Sequence, residues 1–264
     1  SSLHKFTALR YFLELSYTGT AFHGWQRQPN ALSVQQLLEE ALTTLLGTEI
    51  TIVGAGRTDT SVHAKQLFAH FDAVISVEEA DDLAFRLNRF LPKDIAICAI
   101  YAVNPEAHAR FDATSRSYEY HITQKKDPFG SEFSYHFNLP LDVDAMNTAA
   151  AILLDHTNFK CFSRSKTDVK TYDCELTEAF WEEQNHKLIF HISANRFLRN
   201  MVRAIVGTLL DVGTGKCSLS DFQSILDSRD RTKAGSSAPA HGLFLTRVQY
   251  PNTIFAKRAK KINK

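Results

Sequence analysis

Long apolar runs are missing from this sequence of 264 residues. A membrane helix needs about 18 or more consecutive apolar residues. No stretch approaches that, so the sequence predicts no membrane span. Cysteine is scarce. Cys98, Cys161, Cys174 and Cys217 form no C-x-x-C pair and suggest no disulfide framework. They fit a reduced cytosolic compartment, with Cys98 in DIAICAIYAV expected as a small core residue. The first residues, SSLHKFTALR, lack the apolar stretch of a secretion signal, which points the same way. An excess of one charge is lacking too: the formal net charge is +1, an average over faces that can differ widely. Only the tail IFAKRAKKINK is densely basic, and it reads as a solvated terminus.

Several chemistries lack the residues they need. Gly54-Ala-Gly56 begins like a dinucleotide fingerprint, but Asp59 holds the third glycine's place and would repel a pyrophosphate. Gly213-Thr-Gly215-Lys216 resembles part of a phosphate-binding loop. Leu210 replaces its first glycine, however, and Cys217 its Ser or Thr. No H-E-x-x-H or other tight His and Cys cluster supports a metal site, and the eleven histidines are scattered. No G-x-S-x-G elbow is present.

What is present is clear periodicity. LRYFLELSY alternates, placing Leu9, Tyr11, Leu13, Leu15 and Tyr17 on one side of a half-buried strand. SVQQLLEEALTTLLG reads as a helix, with Ser33 and Gln36 as a capping box and Gly47 as its stop. Strands are predicted at 49–54 and 66–73, a helix across EADDLAFRLNRFL, and a strand at 95–103. RSYEYHIT continues as a strand, and LDVDAMNTAAAILLDH as a helix opened by Asp142 or Asp144. CELTEAFWEE and HKLIFHISA pair across Gln184 and Asn185. FLRNMVRAIVGTLLDVG is a strong helix, SDFQSILDS a shorter one, and GLFLTRVQY the last strand. Each half thus reads β-α-β-β-α-β. An α+β fold of two related units is expected, 1–104 and 105–264, sharing a mainly antiparallel central sheet.

One loop concentrates polar chemistry. In GAGRTDTSVHA, Arg57 and Asp59 lie two residues apart just after the apolar run Ile50 to Val53. A nearby arginine favours an ionised carboxylate, lowering its pKa by about one to three units. Such a group serves as nucleophile or charge stabiliser. Equally, Asp59 can simply close an Asx turn on neighbouring N–H groups.

GAGRTDTSVHA resembles the conserved loop of the tRNA pseudouridine synthase A family, whose usual form is GRTD, a small or polar residue, glycine, then Val-His-Ala. YTGTAFHGWQRQ at 17–28 resembles the family's N-terminal motif, and LNRFLPKDI at 87–95 its middle motif. AHARFDATSRSYEYHI at 107–122 is similar to the stretch that carries its tyrosine. NRFLRNMVRAIVGTLLDVGTG at 195–215 is similar to its late helix, and APAHGLFL at 238–245 to its closing strand. The resemblance implies a ferredoxin/RRM-like pair of units, helices on one side of the sheet, and a catalytic cleft between them.

It also implies roles. Asp59 becomes the catalytic nucleophile and Arg203 the basic partner of its carboxylate. Tyr118 stacks on the target uracil, Leu243 forms part of the apolar wall, and Arg57 fills the place of the extruded nucleotide. The implied reaction is isomerisation of uridine to pseudouridine at positions 38 to 40 of the tRNA anticodon stem-loop. It proceeds by a cytoplasmic homodimer without cofactor or metal. Arg196, Arg199 and Arg203 fall at spacings of three and four, hence on one helix face. Arg199, with Arg110 and Arg116 near Tyr118, is a candidate for RNA phosphates. Ser61 departs from the family pattern, standing where relatives generally carry glycine. If φ is positive there, serine costs about 1 kcal/mol. A tRNA-binding chaperone of the same fold without turnover is the second reading, and Ser61 is the feature that would favour it.

Overall fold

The computed structural model describes residues 7–164 and 169–256. The basic tail lies outside the described residues. Among the described residues nine strands form one sheet. In chain order they are β1 (Leu9–Tyr17), β2 (Val53–Gly54), β3 (His63–Ala73), β4 (Ile95–Ala102), β5 (Ser115–Thr123), β6 (Tyr135–His136), β7 (Leu176–Gln184), β8 (Lys187–Ala194) and β9 (Leu243–Gln249). The helices are α1 (Val34–Leu46), α2 (Val77–Phe90), α3 (Val143–Leu153), α4 (Met201–Thr214) and α5 (Leu219–Ser228). None is long and apolar enough to cross a membrane among the described residues.

The sheet runs β4-β1-β3-β9-β5-β8-β7, with β2 on β3 and β6 on β5. Pairing is antiparallel except for two short parallel contacts, β5 with β6 and β3 with β9. The second is the seam of the molecule. One edge of β3 is divided: Ala69 and His70 pair with β2, while His63 and Ala64 pair with Phe244 and Leu245 of β9, in that order. The loop 55–62 leaves β2 and returns into β3 between these two pairings. The polar loop is thereby held where the two halves of the sheet meet.

Two apolar cores flank that seam. One gathers Tyr11, Phe12, Trp25, Leu38, Phe71 and Leu87 with neighbours from the first half, and recruits Leu245, Val248 and Ile254 from the chain's end. The other gathers Tyr120, Met146, Phe162, Phe190, Leu209 and Phe222. Tyr118 packs against both. Local signals start the helices as the side chains dictate. Ser33 accepts the Gln36 N–H and Gly47 closes α1 at φ 70°. Ser76 with Glu79 and Ser218 with Asp221 form reciprocal capping boxes, and Asp142 caps α3.

Several expectations are corrected. The 49–54 strand shrinks to Val53–Gly54, and the 66–73 strand starts earlier, at His63. Phe12 is fully buried although β1's alternation turns it outward. Tyr250 and Phe255 from the chain's end pack edge-on against its ring, covering the face predicted to be wet. Cys98 is exposed, not in the core, because it lies on the outward side of the edge strand β4. The late helix begins at Met201, four residues after its predicted start. Asn200 adopts a left-handed conformation at φ 65° and donates its side-chain amide to Ser237. Only Arg203 of the three spaced arginines is therefore helical, and the common helix face does not exist.

Candidate active site

The loop is positioned mainly through backbone. Ala55 donates to the Phe68 carbonyl, Trp25 N–H to the Thr58 carbonyl at 3.2 Å, and Ser61 N–H to the Phe22 carbonyl at 3.3 Å. Thr58 Oγ1 meets the Tyr17 hydroxyl at 2.7 Å in a buried pair. Gly24, at φ +81°, presses on the same loop: a β-carbon there would collide with the Thr58 carbonyl. Gly19 makes a similar approach to the Val62 carbonyl. The 17–28 stretch is thus a mould for residues 58–62. Ser61 does adopt positive φ, at 69°.

His63 ties the mould to the other half. Its Nδ1 accepts the Gly19 N–H at 2.8 Å, so its Nε2 carries the proton. That nitrogen donates towards the carbonyls of His241 at 2.9 Å and Glu132 at 3.2 Å. Burial lowers the His63 pKa below its ordinary value, against the pull of these carbonyls. A second proton would also remove the acceptor that holds Gly19.

Asp59 projects from the loop about one-third exposed, its side chain at 30%. Its ionic partner is Arg203, 144 residues away, with Nη1 donating to Oδ2 at 3.3 Å. Arg57, its near neighbour in sequence, is exposed and forms no ion pair with it. Arg203 is itself fixed. Its Nε donates to the Ala238 carbonyl at 2.8 Å, and Ala238 N–H returns to the Arg203 carbonyl at 2.9 Å. The 236–238 segment lies hard against α4, since a β-carbon on Gly207 would collide with the Ser236 carbonyl.

Tyr118 comes from β5, opposite Leu245 of β9. Its ring meets Phe197 edge-on at 5.0 Å. Burial pushes its phenol up to about 12, eased by Arg116 and reinforced by the Asp59 charge. At neutral pH it is therefore an uncharged ring. Leu243 is buried two residues along β9, opposite Tyr120. Asp59, Arg203 and Tyr118 are thus brought together, with Leu243 in the adjoining core. Arg116 donates to three carbonyls, those of Asn195, Ala55 and Arg110, and so ties β5 to the start of the 55–62 loop. Arg57, Arg110 and Arg199 remain exposed.

Tyr17, Trp25, Gly24, His63 and Phe197 complete the surroundings of Asp59. The residue-level reading assigned them no role. Tyr17, Gly24 and Trp25 lie in YTGTAFHGWQRQ, His63 in GAGRTDTSVHA and Phe197 in NRFLRNMVRAIVG, but none of these stretches says alone which side chains meet across the fold.

Comparison with known proteins gives the chain's family. A family model described as tRNA pseudouridine synthase matches residues 15–112 and 149–251. A protein of Parabacteroides distasonis named tRNA pseudouridine synthase A is 52% identical over 246 residues, covering 93% of this chain and 98% of its own. The protein of that name from Bacteroides fragilis is 50% identical over 247 residues, covering 93% and 98%. That from Bacillus subtilis is 39% identical over 248 residues, covering 92% and 100%. The chain belongs to the tRNA pseudouridine synthase family.

Proposed function

We propose that this chain isomerises uridine to pseudouridine in tRNA, with Asp59 as its catalytic nucleophile. The observation that carries the reading is the 3.3 Å contact between Asp59 and Arg203 beside Tyr118, at the seam between the two cores. The C1′–N1 bond of uridine breaks, the uracil turns, and C5 bonds to C1′ while its proton passes to N1. Nothing leaves and nothing is oxidised. Asp59 attacks the nucleoside and is released as C5 bonds to C1′, and Arg203 keeps its carboxylate aimed. Tyr118, a neutral phenol, stacks on the base, with Leu243 in the apolar wall behind. Extruding the base costs a few kcal/mol, and stacking returns about 1–3 kcal/mol. Exposed Arg57 takes the vacated place in the RNA stack.

The reading extends to the anticodon stem-loop at positions 38 to 40, to a homodimer and to the cytoplasm, as the motif resemblance implies. Arg110 and Arg199 meet phosphates, while Arg116 contributes through the loop it anchors. We read residues 1–104 and 105–264 as related β-α-β-β-α-β units with helices on one side. The sheet path supports this, because β4-β1-β3-β2 and β9-β5-β8-β7 repeat one order, fourth-first-third-second. The alternative of a binder without turnover has no observation in its favour: Ser61 takes positive φ, yet Asp59 still reaches Arg203.

The test is incubation with unmodified tRNA transcripts followed by mapping of pseudouridine at base resolution. Product at 38, 39 or 40 is expected. Product only elsewhere would overturn the substrate position, and no product at all would overturn the activity.

A further inference from the structure

The turn between β4 and β5 carries a flat apolar ring that contributes little burial to the fold. Phe85, Phe90, Phe111 and Phe129 are each more than half exposed. Among the described residues, only Phe111 of these four rests on another ring. It is 75% exposed, and the His108 imidazole stacks on it at 4.1 Å with 20° between the planes. With one face backed so closely, the exposure belongs mainly to the other. Arg110, also exposed, places its guanidinium 5.9 Å from the ring centroid.

The stack is built on a fixed support. His108 Nδ1 accepts the N–H groups of Arg110 and Phe111, both at 3.1 Å, and its main-chain N–H donates to the Asp112 carboxylate at 2.7 Å. Burial lowers the His108 pKa and the Arg10 charge adds to this, so the imidazole is a neutral ring. It meets His70 edge-on at 4.6 Å, and His70 stacks in turn on Phe12. The carbonyls of Ala107, Ala109 and Arg110 are held by Arg10, Tyr250 and Arg116 respectively. Fixing a turn costs backbone entropy that an exposed ring does not return by burial.

The same turn is tied to the seam that holds Asp59. Arg116 Nη2 is shared between the Arg110 carbonyl at 2.9 Å and the Ala55 carbonyl at 3.0 Å, while Nη1 donates to the Asn195 carbonyl. One guanidinium thus joins the Phe111 turn, the first residue of the 55–62 loop and the residue after β8. Arg116 alternates onto the same face of β5 as Tyr118, whose phenol its charge acts on. Asp59 lies four residues along the loop from Ala55, within about 14 Å even for extended chain.

We propose that Phe111 is a stacking platform for a second, unpaired base of the RNA substrate, backed by His108 and flanked by the Arg110 guanidinium. The site rests on the reading of the chain as a tRNA-modifying enzyme, and adds a base contact apart from Tyr118. RNA loops are recognised by unstacked bases laid on aromatic rings and arginine planes, and such stacking tolerates any base. The contact therefore fixes the register of the strand beside the flipped uridine without dictating its sequence. Arg110 beside the ring and exposed Arg57 on the adjoining loop favour a polyanion over an apolar protein surface.

The experiment measures binding of one unmodified tRNA transcript to the full chain and to Phe111→Ala, Phe111→Leu and Phe111→Trp across a salt series. Thermal unfolding of each protein free of RNA runs in parallel. Phe111→Ala should bind about tenfold more weakly. Its slope of log K against log salt should not change, because no charge is lost. Phe111→Leu keeps apolar bulk without a flat ring and should be as weak as the alanine variant. Phe111→Trp should bind at least as tightly as the parent. Trp25 and Trp181 are buried, so the added indole emission of Phe111→Trp should be quenched when the transcript binds. Melting temperatures should stay within about 2 °C of the parent, since the ring buries little.

Parental affinity in Phe111→Ala, with no quenching in Phe111→Trp, would overturn the proposal. Equal weakening in all three variants would also overturn it, because the ring would then matter only for the shape of its turn. So would a changed oligomeric state of Phe111→Ala at parental tRNA affinity, since the ring would then serve a protein contact. Pseudouridine formation by the unsubstituted protein on the same transcript is scored alongside. Product without Phe111-dependent binding would overturn the platform alone, and Phe111-dependent binding without product would overturn the activity alone.

Discussion

Asp59 is held from two sides in different ways. On the first-half side, residues 17–25 grip the loop by main-chain hydrogen bonds and by glycines whose missing β-carbons make room. On the second-half side, one long side chain, Arg203, reaches across the seam, and Tyr118 with Phe197 supplies the ring surface. The first arrangement fixes where the carboxylate is. The second fixes what it meets. Damage to the mould should therefore register first as lost stability, and damage to the reaching side chains as lost turnover.

The sharpest way to break the contrast is Arg203→Ala. The ion pair is partly solvated, so its loss should cost under about 1 kcal/mol of folding stability. Product formation should fall about 10²–10³-fold, as when a preorganised charge partner is removed from a reacting group. Single-turnover rates and urea unfolding on the same preparation separate the two. A large stability loss with activity retained would reverse the roles of the two sides.

Gly24→Ala tests the opposite side. Its β-carbon meets the Thr58 carbonyl at a positive φ, so a loss of about 2–3 kcal/mol is expected in urea unfolding, with activity falling as the loop shifts. A protein as stable as the parent would show that the mould yields easily.

Acidification probes the histidines that staple the first half. Burial is the main force that drives His70 down to about 4, and the neighbouring charge of Arg10 adds to it, while its Nδ1 accepts the Ala109 N–H. Its folded pKa lies below the unfolded value, so the unfolded chain binds more protons between the two. The stability it contributes is complete above about 6.5 and is lost as pH falls towards 4, amounting to roughly 3 kcal/mol. His63 is shifted in the same direction. His70→Asn, which keeps an acceptor, should flatten this part of the unfolding profile.

The smallest effect expected is that of Ser61→Gly. Release of a left-handed serine at φ 69° is offset in part by the greater freedom of glycine in the unfolded chain. A gain of about 0.5 kcal/mol should appear as a small rise in melting temperature.

The sequence is most legible where a signal is local. The Ser33 cap and the Gly47 stop of α1 are read directly, as is the turn at Gln184 and Asn185. The expected capping box is only half formed, because the Gln36 side chain turns to Glu40 and not back to Ser33. It is least legible where distant chain decides. Phe12 alternates as an outward residue, and nothing in β1 announces that Tyr250 and Phe255 return to cover it. Cys98 sits in an apolar run, but whether its strand is central or an edge depends on the sheet path. Helical spacing suggests that Arg196, Arg199 and Arg203 share a face. Asn200 breaks the helix because Ser237 offers its side chain a partner, leaving Arg196 tied to Thr171 and Asp173 instead. At the site, local reading paired Asp59 with Arg57 or with a turn. Only the motif resemblance pointed to Arg203, because no periodicity links residues so far apart.

The most direct measurement is single-turnover pseudouridine formation by Asp59→Asn on a tRNA transcript, with binding of the same transcript measured in parallel. Product formation should drop by at least about 10⁴-fold while the dissociation constant stays within about threefold of the unsubstituted protein. Product within tenfold of the parent rate would contradict the assignment of Asp59 as the reacting group.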